Sequence, residues 1–342
     1  MPTFHHLTRE QVMECLKRVK EPVIKEDLIS LGLVREIEVD KTHVFLHLET
    51  TSKDPTVQNE LVHAIKNALA AIGATQVDVH FSGKQESKGD VPQGGDISGV
   101  KHVIAVASGK GGVGKTTVAV NLALALAKFG AKVGLMDGDI YGPNIPIMLG
   151  IPSGRQPEAA GAEKMLPIEA HGIKTMSIGF FINPDKPVIW RGPLLHKTIE
   201  EFLHRVDWGE LDYLVVDLPP GTGDVQLSLA QWIRLSGVVV ITTPQQVAVS
   251  DVRKAINMFR QLEVPVLGIV ENMTGPVFGK GGGEHMAKDF QVPFLGDIPL
   301  DPQIRECGDS GIPIVAGQSK DLLSDRFVKI ADAVRGKISS KK

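Results

Sequence analysis

Residues 109–116 read GKGGVGKT and match the phosphate-binding pattern GxxxxGK[ST]. In such a loop the backbone N–H groups surround phosphate oxygens, the ammonium of Lys115 neutralises the β- and γ-phosphates, and the hydroxyl of Thr116 is a ligand for Mg²⁺. An apolar segment precedes the motif and a helical pattern follows it, which separates this loop from an ordinary glycine-rich turn. We therefore predict that ATP and Mg²⁺ bind here, with contacts from Gly109, Lys110, Gly111, Gly112, Val113, Gly114, Lys115, Thr116 and Thr117.

Three aspartates end apolar segments elsewhere in the chain. Asp217 closes a hydrophobic run, as the carboxylate that holds Mg²⁺ through water does in nucleotide-binding proteins of this kind. Asp137 and Asp139 close another run, and we expect Asp137 near the metal; the alternative is that both only form a turn. The segment 219–224, PPGTGD, is expected to sense the γ-phosphate.

An asparagine follows a further apolar run. The side-chain amide of Asn272 has both a donor and an acceptor, which suits recognition of an adenine edge. The alternative is a simple turn residue.

The elements that must position these residues alternate between strand and helix patterns over residues 101–342. Apolar runs that predict strands cover 103–107, 132–137, 213–217, 238–242, 265–270 and 294–298. This alternation predicts an α/β fold, a mostly parallel sheet flanked by helices. Ligands bind such a sheet at the carboxyl ends of its strands, where the residues named above fall.

A small α+β domain is predicted for residues 1–81. Thr8 and Gln11 form a potential capping box, and residues 34–39 and 43–50 alternate as half-buried strands do. A helix opening at Pro55 is expected to direct Leu61, Ile65, Leu69 and Ile72 inward. Residues 82–100 are rich in glycine, serine and charge, and predict a flexible linker to the ATPase domain at 101–342.

The composition narrows the class of protein. The chain has 342 residues, 42% hydrophobic and 23% charged, with a net charge of −3 and no long basic block, so nucleic acid is not an expected partner. Since the sequence lacks a signal-peptide core and a long apolar span, we expect a cytoplasmic protein without a membrane partner. Two cysteines, Cys15 and Cys307, cannot form a disulfide framework or a four-thiolate metal site within one chain.

The second lysine of the phosphate loop, Lys110, makes KGGVGKT resemble the deviant Walker A motif of the MinD/ParA ATPases. Four longer strings, DGDIYGPNIP, WRGP, WGELDYLVVDLPPGTGD and VENM, resemble the Mrp/ApbC family of ATP-binding iron-sulfur cluster carriers, and the first 81 residues resemble the small assembly domain of bacterial members. This resemblance implies a homodimer that hydrolyses ATP slowly and delivers a 4Fe-4S cluster to apo-proteins, together with iron-sulfur assembly partners.

The resemblance also implies roles for individual residues. Lys110 would contact the nucleotide of the partner subunit, and Asp139 would position the attacking water. Asn272 would bind the base, with backbone from Pro299 to Asp301 closing the pocket.

This chain departs from the family at the cluster site. Members carry a CxxC pair shortly after the ENM segment, whereas here Met273 is followed by TGPVFGKG and the segment that would hold the pair is absent. Asp54 stands where the small domain often has a cysteine. Cys307 is a weak candidate ligand; it is equally an ordinary small residue near a helix end.

Two other functions stay open. The chain could be an ATPase switch that assists assembly without its own cluster, or a positioning ATPase at a membrane or nucleoid surface. The apolar spacing of 322–338 fits a membrane-surface helix or a packing helix, and its scattered acidic residues favour packing.

Overall fold

The structure is a computed structural model that describes residues 7–22, 25–31, 33–50, 55–83, 95–139, 142–161, 164–182, 198–199, 201–221, 224–317 and 321–340. The chain divides into two compact units, Met1–Asp90 and Val91–Lys342. Several predictions fall outside the described residues: those on Asp54, the WRGP segment at 190–193, Thr222 and Gly223, and linker residues 84–94.

The smaller unit is an α+β arrangement. Its elements are α1 (Arg9–Leu16), β1 (Val34–Asp40), β2 (His43–Thr50), α2 (Pro55–Ala71) and β3 (Gln76–Gly83). The strands lie in the order β1-β2-β3, with β1 antiparallel and β3 parallel to β2. The predicted capping box is confirmed, since Thr8 and Gln11 exchange both hydrogen bonds. The prediction that Ile72 points inward is wrong, because α2 ends at Ala71 and the Ile72 side chain is exposed.

The larger unit alternates strands and helices as predicted. Its strands are β4 (Val100–Ser108), β5 (Val133–Asp137), β6 (Ala159–Ala160), β7 (Lys164–Met165), β8 (Ile168–Ala170), β9 (Ile173–Met176), β10 (Leu211–Asp217), β11 (Gly237–Thr242), β12 (Val266–Thr274) and β13 (Phe294–Pro299). Its helices are α3 (Lys115–Lys128), α4 (Ile145–Met148), α5 (Asp224–Trp232), α6 (Gln246–Gln261), α7 (Gly282–Asp289), α8 (Pro302–Asp309) and α9 (Leu322–Ser339).

Eight of the described strands form one sheet in the order β13-β12-β11-β4-β10-β5-β9-β8. Neighbours are parallel except for β8, which is antiparallel to β9 at the sheet edge. The central strands are buried on both faces because helices cover both, which explains their continuous apolar sequences. The predicted α/β fold with a mostly parallel sheet is therefore confirmed.

Both ends of the larger unit pack against its core; at the amino-terminal end this differs from the predicted linker, and at the carboxyl-terminal end it agrees with the favoured packing helix. Within the predicted linker, Ile97 is 6% exposed and packs in the core, Gly95 pairs with Ile233, and Val100 already begins β4. Residues 95–100 thus belong to the larger unit rather than to a flexible connection. The apolar face of α9 packs against α3 and β13, with Phe327, Ile330 and Val334 buried. None of the described helices is long and apolar enough to span a membrane.

Candidate functional site

The phosphate loop connects β4 to α3, and its conformation depends on glycine at the helix start. Gly114 is the N-cap of α3 with a φ of 78°, a left-handed conformation that disfavours other residues. A Cβ at this position would lie 2.3 Å from Nδ2 of Asn272. That amide nitrogen donates to the carbonyl oxygen of Val113 at 2.8 Å. The end of β12 is thereby fastened to the loop.

A buried ion pair lies at the start of α3. Nζ of Lys115 is 2.6 Å from Oδ1 of Asp217 and 3.6 Å from Oδ2 of Asp139. The hydroxyl of Thr116 donates to the other oxygen of Asp217, Oδ2, at 2.6 Å. The parallel pairing of β10 with β4 and β5 sets Asp217 beside Val106 and Asp137, so the topology itself gathers these groups.

Asp137 is the second fully buried carboxyl group of the site. Its Oδ2 accepts the hydroxyl of Ser177 at 2.9 Å, and its Oδ1 accepts the backbone N–H of Asp139 at 3.1 Å. Burial and the nearby charge of Asp217 raise the pKa of Asp137 to about 8, against the opposing effects of Ser177 and Lys115. Burial also raises the pKa of Asp217, and Lys115 and Thr116 oppose that shift.

These oxygens fit a magnesium ion by their chemistry. Hydroxyl and carboxylate oxygens are the donors that Mg²⁺ prefers, and it is usually held by one or two of them together with phosphate and water. Thr116 and Asp217 supply such a pair, with Asp137 on the adjacent strand. Among the described residues, no group of three or more His, Cys, Asp or Glu side chains is arranged to hold a metal by itself.

A cavity of about 560 Å³ opens above the phosphate loop. Eleven of the predicted site residues line it: Lys110, Gly111, Gly112, Gly114, Lys115, Thr116, Thr117, Asp139, Asn272, Pro299 and Asp301. Gly111, Gly112 and Gly114 contribute the loop wall. Val113 is buried, and Gly109 packs so closely on the backbone of Asp251 that a Cβ would lie 2.4 Å from it. Two further walls come from α4, through Ile147 and Met148, and from α8, through Ile304 and Arg305.

The segment after β12 is a short, closed turn. The backbones of Gly275 and Gly279 exchange two hydrogen bonds, of 2.9 and 2.7 Å. Glu271, which is fully buried, accepts the backbone N–H groups of Gly281 and Gly283 at 2.9 and 2.7 Å. The position at which the CxxC pair would lie is therefore a tightly bonded connection into α7.

Asp297 of β13 fixes the same turn from its other side. Its carboxylate forms ion pairs with Lys280 at 3.3 Å and with Arg326 at 2.8 Å, and it accepts the hydroxyl of Thr274. Burial opposes ionisation, but these three partners outweigh it and hold the pKa of Asp297 below its ordinary value.

The two cysteines lie in different units. Cys15 is buried in the smaller unit, where its thiol donates to the carbonyl oxygen of Ala68 at 3.2 Å. Cys307 lies in α8 and packs partly against the core of the larger unit. Burial, followed by the charges of Asp321 and Glu306, raises the pKa of the Cys307 thiol, so the thiolate that a metal ligand requires is disfavoured.

Sequence reasoning missed two residues that organise the site. Ser177 follows β9, which lies next to β5 in the sheet, and its hydroxyl donates to the Asp137 carboxylate. No local sequence pattern predicts this contact. Glu271 stands next to Asn272, but the apolar run around it gave no sign that its carboxylate is buried among backbone donors. The one feature of the sequence that could have indicated this burial is the glycine-rich string GKGGG at 279–283, which supplies those N–H groups.

Comparisons with known proteins agree on the family to which each part of the chain is similar. Residues 99–335 match the family described as NUBPL iron-transfer P-loop NTPase, and residues 9–80 match the iron-sulfur cluster assembly protein family. An iron-sulfur cluster carrier protein of Synechocystis is 42% identical, over 97% of this chain and 98% of the relative. One of Escherichia coli K12 is 41% identical, over 96% and 92%.

Solved structures share the fold of the larger unit. A nucleotide-binding protein from Archaeoglobus fulgidus in complex with ADP is 40% identical with a TM-score of 0.55, over 63% of this chain and 88% of that chain. The cell division ATPase MinD of Pyrococcus furiosus is 25% identical with a TM-score of 0.54, over 69% and 98%. The resemblance to ATP-binding iron-sulfur cluster carriers is confirmed by these matches. With a family match over more than half of its length, the chain belongs to the NUBPL iron-transfer P-loop NTPases.

Proposed function

We propose that this protein is a Mg²⁺-dependent ATPase whose nucleotide cycle serves the assembly or delivery of iron-sulfur clusters. The observation that carries the proposal is the network of Lys115, Thr116 and Asp217 at the end of a phosphate-binding loop, where α3 begins. Relatives named iron-sulfur cluster carrier proteins, which match the chain over both units, support the biological role.

The reaction converts ATP and water into ADP and phosphate. The backbone of the loop and Lys115 bind the phosphates, and Asn272 with Pro299 and Asp301 encloses the base. Mg²⁺, held by Thr116 and Asp217 with Asp137 nearby, would neutralise charge on the phosphates. Asp139, whose carboxylate lies 3.6 Å from the Lys115 ammonium, positions the attacking water. Catalysis therefore consists of positioning and charge neutralisation. The resemblance to the cluster carriers implies that turnover is slow.

The active form in this proposal is a homodimer. Lys110 lines the cavity but is not needed for phosphate binding by its own chain, since Lys115 serves that purpose. At the same cavity the apolar side chains of Ile147 and Leu300 are 62% and 47% exposed, and a second copy docked there would cover them. A second copy docked there would receive Lys110 at its own nucleotide.

The cluster is cargo, and this chain lacks a thiolate set to hold it. A 4Fe-4S cluster takes four thiolates, whereas each chain has two cysteines, one of them buried in the smaller unit. The closed turn at Gly275 and Gly279 favours the alternative of an ATPase switch without its own cluster, which acts on apo-protein clients and assembly partners that supply the thiols. In this proposal the protein acts in the cytoplasm.

Three substitutions test the ATPase. Lys115→Ala is expected to abolish nucleotide binding, and full activity would refute the site. Asp139→Ala is expected to bind ATP without hydrolysing it; normal turnover would remove its assigned role. Lys110→Ala should give a protein that binds ATP, stays monomeric in size-exclusion chromatography and hydrolyses ATP poorly. Dimer formation with normal turnover would exclude the action of Lys110 across the interface.

The cargo is tested by iron and acid-labile sulfide content after anaerobic reconstitution. We expect no stoichiometric cluster on the isolated chain and no change in Cys307→Ser. A cluster that is present in the natural protein and lost in Cys307→Ser would show that the chain itself is a carrier with an unusual ligand set. ATP-dependent sedimentation with lipid vesicles or DNA would instead favour a positioning ATPase.

A further inference from the structure

Two walls of the nucleotide cavity, those from α4 and α8, meet just beyond the ends of these helices. The helix α4, which forms one wall, follows Asp139 in the chain, and the helix α8, which forms the other, follows Asp301. Just beyond the two helices, the backbones of Gly150 and Gly311 touch: a Cβ on Gly311 would lie 2.3 Å from the Cα of Gly150. This contact joins the catalytic side of the cavity to its base side.

A histidine sits over this junction. Nε2 of His171 lies 3.2 Å from the carbonyl oxygen of Leu149 and 3.0 Å from that of Gly311. Both partners are acceptors, so Nε2 must carry a proton and donate to both. The first oxygen is that of the C-cap residue of α4, and the second belongs to the residue that follows the C-cap of α8. One N–H group thereby satisfies an oxygen from each wall.

The backbone around His171 is built to present the ring. His171 and Gly172 are the two residues that link β8 to the antiparallel β9, and their φ angles are 49° and 79°. Two-residue hairpin loops of this kind require positive φ at both positions, which asparagine or glycine adopts more readily than histidine. Histidine is among the residues that tolerate such a φ, and at this position its side chain also bridges two helices, a contact that the turn itself does not require.

We propose that His171 is a positioning residue for nucleotide binding, acting as a clasp between α4 and α8. This inference rests on the proposed nucleotide site, because the two joined walls enclose that cavity. With the clasp in place, the segment behind Asp139 and the segment behind Asp301 keep a constant separation. Without it, only the packing of Gly150 on Gly311 joins the two walls beyond the helices, so α4 shifts more readily relative to α8 and the cavity holds phosphate and base together less tightly.

Three variants of the full chain separate the clasp from the turn. His171→Gly removes the ring and suits the positive φ, so the hairpin is retained or improved. His171→Asn also tolerates the turn, but its amide is too short to reach the two carbonyls. His171→Gln restores an amide N–H near the position of Nε2. Affinity is measured with a fluorescent N-methylanthraniloyl derivative of ADP in the presence of Mg²⁺, alongside the melting temperature of each protein.

The clasp predicts that His171→Gly and His171→Asn bind the ADP derivative about 10-fold more weakly, as expected for the loss of about 1.4 kcal/mol of hydrogen bonding. His171→Gln should recover most of the affinity. Amide hydrogen exchange without nucleotide should quicken in peptides covering 145–151 and 302–312 of the glycine variant. If His171 only forms the turn, His171→Gly should keep the affinity for the ADP derivative, the melting temperature and the amide exchange rates of the natural protein.

Natural affinity in His171→Gly, or a glutamine variant as weak as the glycine variant, would overturn the clasp and leave the proposed function intact. Lys115→Ala is the control for the site itself, since it should lose binding whatever His171 does. If the natural protein fails to bind the ADP derivative, the proposed function fails instead. The exchange measurement, which needs no nucleotide, still decides whether His171 joins the two helices.

Discussion

Glu271 offers a quantitative test of how the turn after β12 is held. Its buried carboxylate accepts two backbone N–H groups, from Gly281 and Gly283, at 2.9 and 2.7 Å. In Glu271→Gln, one oxygen becomes an NH₂ group that faces a donor, so one bond is lost and the other becomes a weaker neutral bond. A hydrogen bond to a charged group contributes about 1.5–3 kcal/mol, and an unpaired buried donor adds to the cost. We therefore expect the free energy of unfolding to fall by about 2–4 kcal/mol.

The assay is urea unfolding of the full chain followed by tryptophan fluorescence. The three tryptophans, Trp190, Trp208 and Trp232, all lie within Val91–Lys342, so the signal reports on the unit that contains Glu271. With an m value of about 3 kcal/mol/M, the midpoint should move down by about 1 M. Glu284→Gln is the matched control: that side chain is 50% exposed, and we expect a shift near zero. Equal midpoints for the two variants would refute the assigned role of the Glu271 carboxylate.

Three further predictions concern single residues of the same unit. Gly114→Ala should lower stability and weaken ADP binding at least about 10-fold, because its Cβ would displace the Asn272 amide; natural affinity in a calorimetric titration would contradict this. Asp297→Asn should lower the free energy of unfolding by about 1 kcal/mol at pH 7. Since the folded pKa of Asp297 lies below the unfolded one, the difference between the two proteins should shrink as the pH falls below about 4 and vanish below the folded pKa. A constant difference down to pH 3 would exclude the ion pairs as its cause. For Asp137, whose folded pKa of about 8 exceeds the unfolded one, stability without Mg²⁺ and nucleotide should decline as the pH rises from about 4 to 8. Asp137→Asn should lack that decline and be the more stable protein at pH 8 by up to about 5 kcal/mol; parallel pH profiles would show that the carboxyl group is not buried in its neutral form.

The parts of the molecule that follow local rules were readable from the sequence alone. The phosphate loop, the capping box of α1 and the alternating strands depend on residues a few positions apart, so their patterns survive in one dimension. The alternation of strands and helices predicted the parallel sheet, and the sheet in turn predicted that the acidic strand ends meet at one edge. The absence of the CxxC segment is likewise a property of the sequence.

The tertiary structure determined the burial, the ion pairs and the hydrogen bonds of those residues. Lys115 and Asp217 are 102 positions apart, and only the pairing of β10 with β4 and β5 makes them a buried ion pair beside Asp137. The environment of Glu271 and the bridge made by His171 depend on loops that return from other strands. Hydrogen bonds and burial between distant segments leave no periodic trace in the sequence, because each requires the whole sheet to be assembled before its partners come within reach.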